Sequence, residues 1–235
     1  IQGADTITST DLVRQLWLDN YFYGSIFSLQ YQQPNTQLII GGGWNRYDGN
    51  HFGEIIWTDV KNAAPTGYRW YDLDARKTDG SLFVKWTEKL TDHWQTFIDL
   101  QARAVQYRIN GFRDNPTLRI NNQYVFFNPK AGVRYTKNKT SWYLSYARGA
   151  KEPNRDDFEA GNTQQPKAEK LNDFEAGIER KNKKNSWALN LFYMQYKDQL
   201  VLTGKINDVG AYTRTNIPNS YRLGIEVQGA IQFTK

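Results

Sequence analysis

Apolar and polar residues alternate along most of this chain with a period of two. In the segment SWYLSYARGAKEP, residues 141–153, the apolar Trp142, Leu144 and Tyr146 alternate with smaller or more polar residues. Successive side chains of a β-strand point to opposite faces of the sheet, so this pattern predicts a strand with one apolar face. Similar alternation predicts further strands that include residues 94–106, 128–135, 171–180, 187–193 and 221–229.

Short and long polar breaks alternate between the strand-like segments. The short breaks carry residues that favour hairpin turns, and they lie at 33–35, 90–92, 137–139 and 182–185. The long breaks run roughly over 48–78, 110–123, 152–168 and 204–218. We therefore predict an all-β fold, an antiparallel up-and-down meander of about nine strands, with one plain rim and one rim of long loops.

Two architectures can cover the apolar faces. A soluble sandwich or lipocalin-like barrel turns them inward, whereas an outer-membrane barrel turns them toward lipid and lines a wet lumen with the charged faces. The predicted strands are about ten residues long or more, close to the ~9–11 residues with which a tilted strand crosses a bilayer. Aromatic residues also lie near the ends of the apolar faces, as in interfacial girdles: Trp94, Tyr135, Trp187 and Tyr193. These features favour a transmembrane β-barrel.

The composition is polar on average but rich in aromatic residues. Of the 235 residues, 39% are hydrophobic and 15% are aromatic, and the mean hydropathy is −0.74. This combination fits strands that each have one wet face and one apolar face. The chain has no cysteine, which excludes disulfides, cysteine-bound zinc and a thiol nucleophile. The net charge of +6 comes from scattered basic residues, and we predict no nucleic-acid partner.

Several motifs follow one another in a specific order. They read SYARGAKEPNRDDFEAG at 145–161, PKAEKLNDFEAGIERK at 166–181, NLFYMQYKDQLV at 190–201 and TNIPNSYRLGIEVQ at 215–228. Together with FFNPKAGVRY at 126–135 and GGGWNRYDGNHFGEIIW at 41–57, they resemble the barrel of TonB-dependent outer-membrane receptors. The resemblance rests on Pro166 with Glu169, on Phe174-Glu175 with Gly177, on Phe192-Tyr193 with Tyr196-Lys197-Asp198, and on Asn216 with Gly224-Ile225-Glu226. It extends from about residue 17 to the end of the chain.

The resemblance implies a location, a function and partners. Members of the family have a larger barrel that is plugged by an N-terminal domain, so we expect residues 1–235 to be a partial barrel domain, with the plug domain and the final strand absent. The implied location is the bacterial outer membrane. The implied function is to bind and import a scarce nutrient such as a ferric siderophore, with uptake driven by the TonB energy-coupling complex through the absent plug. The expected partners are outer-membrane lipid and a small-molecule or metal-chelate ligand, and no resident cofactor is expected.

Candidate ligand-binding residues are aromatic and basic. We predict that the likeliest ligand-facing loop runs from Trp44 to Trp57, and that a second loop includes Tyr68 to Tyr71. Aromatic rings can stack on a ligand and an arginine can attract an anionic one, although the same residues can equally pack a loop against its neighbours. Only two histidines are present, so no metal site is predicted. The candidates are Trp44, Arg46, Tyr47, His51, Phe52, Trp57, Arg69 and Trp70.

A second group of charged residues lies on the polar faces of the predicted strands. Opposite charges on neighbouring strands attract each other, so we predict a lumen-facing ladder of cross-strand ion pairs. Its members are Lys130, Arg134, Asp173, Glu175, Glu179, Arg222 and Glu226.

Two other functions remain open from the sequence. A soluble or surface-exposed β-sheet protein can bind carbohydrate through its aromatic residues. A barrel enzyme would need a nucleophile or an activated water, and only Asp156, Asp157 and His51 offer candidates. The sequence contains no nucleophile elbow and no phosphate loop, so we predict no catalytic residue. Arg148, Arg155, Asp156 and Asp157 fit a solvated or salt-bridged loop base better. Siderophore, haem, cobalamin and oligosaccharide remain open as ligands, with haem disfavoured by the small number of histidines.

Overall fold

A computed structural model of the chain describes residues 9–60, 63–160, 165–206, 210 and 212–233. It contains nine strands and one short helix in the described part. Gly161, which ends the first motif, and parts of the predicted breaks at 152–168 and 204–218 lie outside the described residues. The elements are β1 (Leu12–Gln32), β2 (Thr36–Thr58), β3 (Tyr68–Lys89), β4 (Trp94–Asn110), β5 (Arg119–Lys137), β6 (Thr140–Lys151), α1 (Arg155–Ala160), β7 (Glu169–Lys181), β8 (Asn185–Ile206) and β9 (Tyr212–Ile231).

The nine strands form one sheet in the order in which they occur along the chain, β1 to β9. The pairs from β5 to β9 are antiparallel. The predicted all-β meander of about nine strands is therefore confirmed. The predicted short turns are also confirmed, since backbone hydrogen bonds close them, as from Gln33 N to Thr36 O (2.8 Å) and from Asn182 N to Asn185 O (2.7 Å).

The prediction that residues 48–78 form one long loop is wrong. β2 continues to Thr58 and β3 begins at Tyr68, so only residues 59–67 connect them. Similarly, β5 begins at Arg119, which shortens the predicted break at 110–123. These strand ends carry polar side chains on both faces, so the alternation that marks a half-buried strand does not extend into them. Ion pairs between side chains, such as that between Arg76 of β3 and Asp48 of β2, support them instead.

The chain divides into two compact units. Unit 1 contains Ile1–Tyr23, Arg46–Thr78 and Gln106–Asn122, and unit 2 contains Gly24–Asn45, Asp79–Val105 and Gln123–Lys235. The buried apolar residues of unit 1 are Phe52, Ile55, Tyr107, Ile109, Phe112 and Ile120. Those of unit 2 are Val105, Phe126, Pro153 and Phe158, accompanied by the buried carboxylates of Glu152 and Asp157.

One face of β6–β9 in unit 2 carries three consecutive rows of apolar side chains. Most of them are exposed; Leu144 is 58% exposed and Val227 is 75% exposed. Rows that contain polar residues border this band on both sides. One holds Arg148, Asn172 and Gln195, and the other holds Arg180 beside Trp187. The register aligns the apolar rows as Trp142–Ile178–Leu189–Val227, Leu144–Ala176–Leu191–Ile225 and Tyr146–Phe174–Tyr193–Leu223. We call these three rows the apolar band.

The opposite face of the same strands is polar. One row of register partners runs across this face from β5 to β9. It consists of Lys130, Ala147, Asp173, Met194 and Arg222. Arg134, Glu175, Glu179 and Glu226 have the same parity along their strands. All seven charged residues that were predicted to share a face do share one.

Candidate ligand-binding site

The residues from Trp44 to Trp57 belong to β2, so their assignment to a loop is wrong. Successive side chains of β2 in unit 1 point to opposite faces of the strand. Tyr47 and His51 therefore share one face, and Arg46 and Asp48 share the other. Trp57, at the end of β2, is 50% exposed. The predicted candidates are therefore distributed over several local clusters.

Tyr47 and His51 form a hydrogen-bonded cluster with Asn20 of β1. The Tyr47 hydroxyl donates to Asn20 Oδ1 at 2.7 Å, and His51 Nε2 lies 3.2 Å from that oxygen and 3.3 Å from the Tyr47 hydroxyl. Gly49 lies between them, and a Cβ there would collide with the Tyr47 ring. The cluster presents a phenol and an imidazole on one face, a pair of groups that can both stack on a ligand and hydrogen-bond to it.

Phe52 and Arg69 form a second cluster. The Phe52 ring stacks on Trp17 with centroids 6.0 Å apart, and the Arg69 guanidinium lies 3.6 Å from the centroid of Phe52. Arg69 also donates to Glu54 at 3.2 Å and to Asp72 at 2.9 Å. Two carboxylates compensate its charge, so Arg69 is a positioned hydrogen-bond donor rather than a free attractant for anions.

These charged groups lie outside the part of each strand that would cross a bilayer. Counted from the turn ends of β2 and β3, Asp48 and Asp72 come after the ~9–11 residues that a tilted strand needs. The hydrogen bond from Arg69 holds the pKa of the Asp72 carboxyl below its ordinary value, and the same bond raises the pKa of Arg69. Both groups therefore stay charged over the physiological range of pH.

Trp70 packs with Tyr71 over a glycine. The two rings meet edge to face with centroids 4.4 Å apart, and a Cβ at Gly53 would collide with both. Arg14 lies over the Trp70 ring at 5.3 Å. The indole N–H is buried and has no acceptor among the described residues. Trp70 thus packs against other side chains, as the competing interpretation of the aromatic residues expected.

Arg46 is held in an ion cluster on the other face of β2. Its Nε donates to Asp48 at 2.7 Å, Arg76 of β3 donates to the same carboxylate at 2.6 Å, and the Tyr23 hydroxyl donates to it at 3.0 Å. Hydrogen bonds from Arg46 first and Arg76 second hold the pKa of Asp48 well below its ordinary value. Arg46 is therefore separated from the Tyr47–His51 cluster.

Trp44, in unit 2, lines an apolar hollow. The hollow has a volume of about 430 Å³, with Phe27, Leu82 and Val125 as walls and small residues such as Ala102 as its floor. Phe27, Leu82 and Val125 are themselves more than half exposed. Trp44 therefore belongs with the exposed apolar side chains of unit 2 rather than with a polar ligand site.

Only part of the predicted ion-pair ladder forms among the described residues. Arg134 of β5 pairs with Glu179 of β7 across Tyr143 of β6. Lys130 instead lies over the ring of Phe97 at 5.9 Å, and Arg222 lies over the ring of Tyr196 at 5.2 Å. Lys130 and Arg222, which were predicted to form ion pairs, thus make cation–π contacts with neighbouring aromatic rings.

The strongest ion cluster of unit 2 was not predicted. Arg103 of β4 donates to Asp79 of β3 at 3.0 Å and to both oxygens of Glu152 at 2.7 and 2.9 Å. Glu152 immediately follows β6, so the chain there folds back over the face that carries Arg103. Its side chain is 7% exposed. Nothing local in the sequence relates these residues, because 49 positions separate Arg103 from Glu152.

The segment after Glu152 is fixed at a second point. Asn154 and Asp157 cap α1 reciprocally, each backbone N–H donating to the other side chain at 2.7 and 2.9 Å. Asp157 also pairs with Arg214 of β9. The salt-bridged loop base that the sequence favoured over catalysis is confirmed for Asp157, while Asp156 is 76% exposed.

Comparison with known proteins decides the family. The family model "TonB dependent receptor-like, beta-barrel" matches residues 2–234. The chain belongs to this family. The resemblance drawn from the motifs is thereby confirmed, and TonB-dependent receptors are outer-membrane proteins of bacteria that act as receptors and transporters. A search of curated proteins found no match.

Solved TonB-dependent receptor structures share the fold. The copper transporter OprC superposes with a TM-score of 0.76 at 13% identity, over 93% of this chain and 36% of that chain. The FrpB iron transporter from Neisseria meningitidis gives 0.64 at 15% identity, over 91% and 34%. The alcaligin outer-membrane receptor FauA from Bordetella pertussis gives 0.58 at 14% identity, over 94% and 37%. This chain thus spans about a third of the length of these receptors.

Two further kinds of feature are absent from the described residues. No group of three or more histidine or acidic side chains is arranged to hold a metal ion in the part of the chain that the structure describes. No helix within the described ranges is long and apolar enough to span a membrane.

Proposed function

We propose that this chain is part of the barrel of a TonB-dependent outer-membrane receptor that binds and imports a scarce nutrient such as a ferric siderophore. The family match over residues 2–234 carries the proposal. The whole of residues 1–235 then forms barrel, and the plug domain, the final strand and the contact with the TonB energy-coupling complex belong to the rest of the parent protein. Such a segment has a transport role and no catalytic one.

The dimensions of the apolar band support a membrane location. In β7, the polar residues Asn172 and Arg180 that border the band are eight positions apart. At ~3.3 Å per residue this is ~26 Å along the strand, and a tilt of ~35–45° reduces it to ~20 Å. An outer-membrane barrel carries an apolar band about 25 Å tall. Exposed Leu144, Ile225 and Val227 would then contact lipid acyl chains.

The opposite face supports a water-filled lumen. It carries Lys130, Asp173, Glu175, Glu226 and the ion pair of Arg134 with Glu179, all of which need water or polar partners. Because the two faces differ so strongly, the sheet has one side suited to lipid and one suited to water.

The ligand contact we propose is the Tyr47–His51 cluster of unit 1. It combines aromatic surface with a hydrogen-bonding group, which suits a polar chelate with an aromatic or amide periphery. Phe52 has the parity of Arg46 and Asp48 along β2, so the Phe52–Arg69 cluster does not share that face. FauA is an alcaligin receptor and another similar structure is the Pseudomonas aeruginosa receptor bound to ferripyoverdine, which favours a ferric siderophore as the ligand class.

Uptake of iron by the full-length parent protein tests this function. The gene is expressed in cells that lack their own siderophore receptors, and radio-iron uptake is measured from a ferric hydroxamate, a ferric catecholate and a ferric mixed chelate such as a pyoverdine. We expect uptake from at least one chelate that disappears in cells without TonB. Uptake that persists without TonB, or no uptake from any of the three, would contradict the proposed function.

The main alternative is a soluble carbohydrate-binding protein. Fractionation of the same cells distinguishes the two, because a barrel is recovered from the outer membrane and needs detergent, whereas a soluble binder is recovered without it. Recovery of the full-length protein in the detergent-free soluble fraction would overturn the receptor assignment.

A further inference from the structure

The chain that leaves β6 lies against the sheet instead of projecting from it. Glu152 accepts hydrogen bonds from Arg103 of β4 at 2.7 and 2.9 Å, and Asp157 pairs with Arg214 of β9. The side chains of Glu152 and Asp157 are only 7% and 3% exposed, so both ion pairs are shielded from water. We call the segment that they hold, residues 152–158, the strap.

The strap covers the polar face of the sheet. Arg103 has the parity of Phe97 along β4, and Lys130 of the polar face lies over the Phe97 ring. Arg214 has the parity of Arg222 along β9, and Arg222 belongs to the same polar face. Under the proposed function this face lines the lumen, so the strap lies inside the barrel.

The strap also lies at the outer entrance of the lumen. It follows Lys151, the last residue of β6, at the end of the strand that is away from the short turns. In outer-membrane barrels the short turns face the periplasm and the long loops face outward. Four strands separate β4 from β9 and neighbouring strands are ~4.8 Å apart, so the two ion pairs attach the strap at points ~24 Å apart along the wall. A ligand that enters from outside therefore meets the strap.

Several further contacts hold the strap in place. Pro153 and Phe158 are buried, and the reciprocal cap described above fixes the start of α1. Where the chain returns toward β7, Asn216 of β9 accepts a hydrogen bond from Lys167 N at 2.8 Å and donates one to Lys167 O at 3.0 Å. Lifting the strap would break these contacts together and leave buried charges without partners, which is costly.

We propose that the strap is a fixed constriction of the lumen, which stays in place during import and limits the size of the chelate that can pass. The side of the strap away from the wall is polar, with Asn154 and Asp156 exposed, as an aqueous passage requires. Glu152, Asp157 and Arg214 are then positioning residues that act on the passage through the strap. The inference rests on the proposed function, because without transport nothing passes the strap.

Labelling of a lumen cysteine from outside tests the constriction without any ligand. The reporter is Lys130→Cys in the full-length receptor, because Lys130 is exposed on the polar face and residues 1–235 contain no cysteine. Its register partner Ala147 lies four positions before the end of β6, so a reagent from outside must pass the strap. Intact cells are treated with a small maleimide and with maleimides that carry polyethylene glycol chains of increasing length, and the labelling rates are measured.

The release variant is Glu152→Ala/Arg214→Gln, which breaks both ion pairs and leaves the cap of α1 intact. Hydrogen bonds to charged groups shift an equilibrium about tenfold or more, so the longest maleimides should label the reporter roughly tenfold faster or more in this variant. The small maleimide should label both proteins at similar rates. Asp156→Asn, which changes an exposed residue of the same strap, and Arg214→Lys, which keeps a cation opposite Asp157, are the controls and should behave like the parent.

An unchanged ratio of long-chain to small-reagent labelling in the release variant would overturn the proposal. Equal acceleration with every reagent would also overturn it, since a general loss of fold does not select by size. A reporter that no reagent reaches in either protein would show that something other than the strap limits passage, and would overturn it as well.

A reversible cross-link tests whether the strap is fixed. In Asp157→Cys/Arg214→Cys a short bifunctional thiosulfonate joins the strap to β9, and a reductant releases it; a linker is used because an arginine–aspartate pair spans more than a disulfide does. Radio-iron uptake should be equal in the linked and the reduced protein. Uptake that is lost on linking and restored by the reductant would identify a gate and overturn the fixed strap.

The two measurements separate this inference from the proposed function. Absence of TonB-dependent uptake by the parent would contradict the proposed function, while the maleimide ratio would still decide whether the strap limits passage. Normal uptake by the parent together with an unchanged maleimide ratio in the release variant would overturn the constriction alone.

Discussion

The ring of Tyr143 in β6 lies flat across Gly177, its register partner in β7, and its hydroxyl donates to Asn190 of β8 at 2.8 Å. One side chain thereby connects three strands on the polar face. Phe192 covers Gly224 in the same way between β8 and β9. The absence of a Cβ is what allows the ring to approach the backbone so closely.

We therefore expect Gly177→Ala to destabilise the sheet. A Cβ at this position would collide with the Tyr143 ring, and an overpacked site typically costs ~1–3 kcal/mol. Gly149→Ala is the matched control, because a Cβ there meets nothing within 4 Å. Thermal melting of the full-length protein in detergent compares the two. A lower melting temperature for Gly149→Ala than for Gly177→Ala would show that contact with the Tyr143 ring does not require a glycine at position 177.

A second prediction concerns the segment between β6 and β7. Glu152→Ala leaves Arg103 with only one of its two carboxylates and removes the first attachment of this segment. Hydrogen bonds to charged groups contribute ~1.5–3 kcal/mol, and Arg103 keeps Asp79 as a partner. The segment should therefore lose that stabilisation and exchange its amide hydrogens faster. Hydrogen exchange of residues 152–160 in the full-length receptor measures the effect.

The control for that prediction is Asp156→Asn in the same segment. Asp156 is 76% exposed and lies 4.0 Å from Arg155, so its loss should change exchange little. Equal protection of the segment in Glu152→Ala and in Asp156→Asn would mean that Arg103 does not hold it in place.

The alternation of the sequence was sufficient to predict the two faces of β6–β9. In a strand with one apolar and one polar face, the alternation of residue types shows which side chains share a face. The charged residues that were predicted to share a face do so. The ends of β2 and β3 escaped prediction because polar and apolar residues are mixed on both faces there. Asp48 was predicted to lie in a loop, but it belongs to β2 and forms ion pairs with Arg46 and Arg76.

Contacts between segments that are far apart in the sequence could not be predicted from it. Arg103 meets Glu152 only because the chain after β6 folds back, and no periodicity encodes that return. The cap of α1 is a local contact, since Asn154 and Asp157 have the spacing of a capping box, but the helix itself was not predicted. The ligand candidates were chosen by residue type, and residue type alone did not separate Arg46 from the Tyr47–His51 cluster.

The Asp48 cluster predicts a specific dependence on pH. Arg46 and Arg76 hold the pKa of Asp48 below the ~3.9 of an unfolded aspartate, so the cluster stabilises the fold fully above that value. The stabilisation is lost as the pH falls through the folded pKa. Asp48→Asn should therefore melt below the parent at pH 7, and the difference should shrink as the pH falls below ~3.9 and disappear only near the folded pKa. A difference that vanishes between pH 5 and 4 would contradict the depressed pKa.

The last prediction concerns the ligand contacts and rests on the proposed function. His51→Ala removes the imidazole beside Tyr47, whereas Phe52→Ala removes a ring on the opposite face of β2. Truncation of a residue that dominates binding costs more than ~1 kcal/mol, so His51→Ala should weaken chelate binding roughly fivefold or more and Phe52→Ala should change it little. Arg108→Gln, which changes an exposed cation of unit 1 outside both clusters, is the control. The measurement is the concentration of ferric chelate at half-maximal radio-iron binding to whole cells at low temperature, with receptor abundance determined separately. An unchanged half-maximal concentration in His51→Ala would exclude the Tyr47–His51 cluster as the binding site while leaving the family assignment intact.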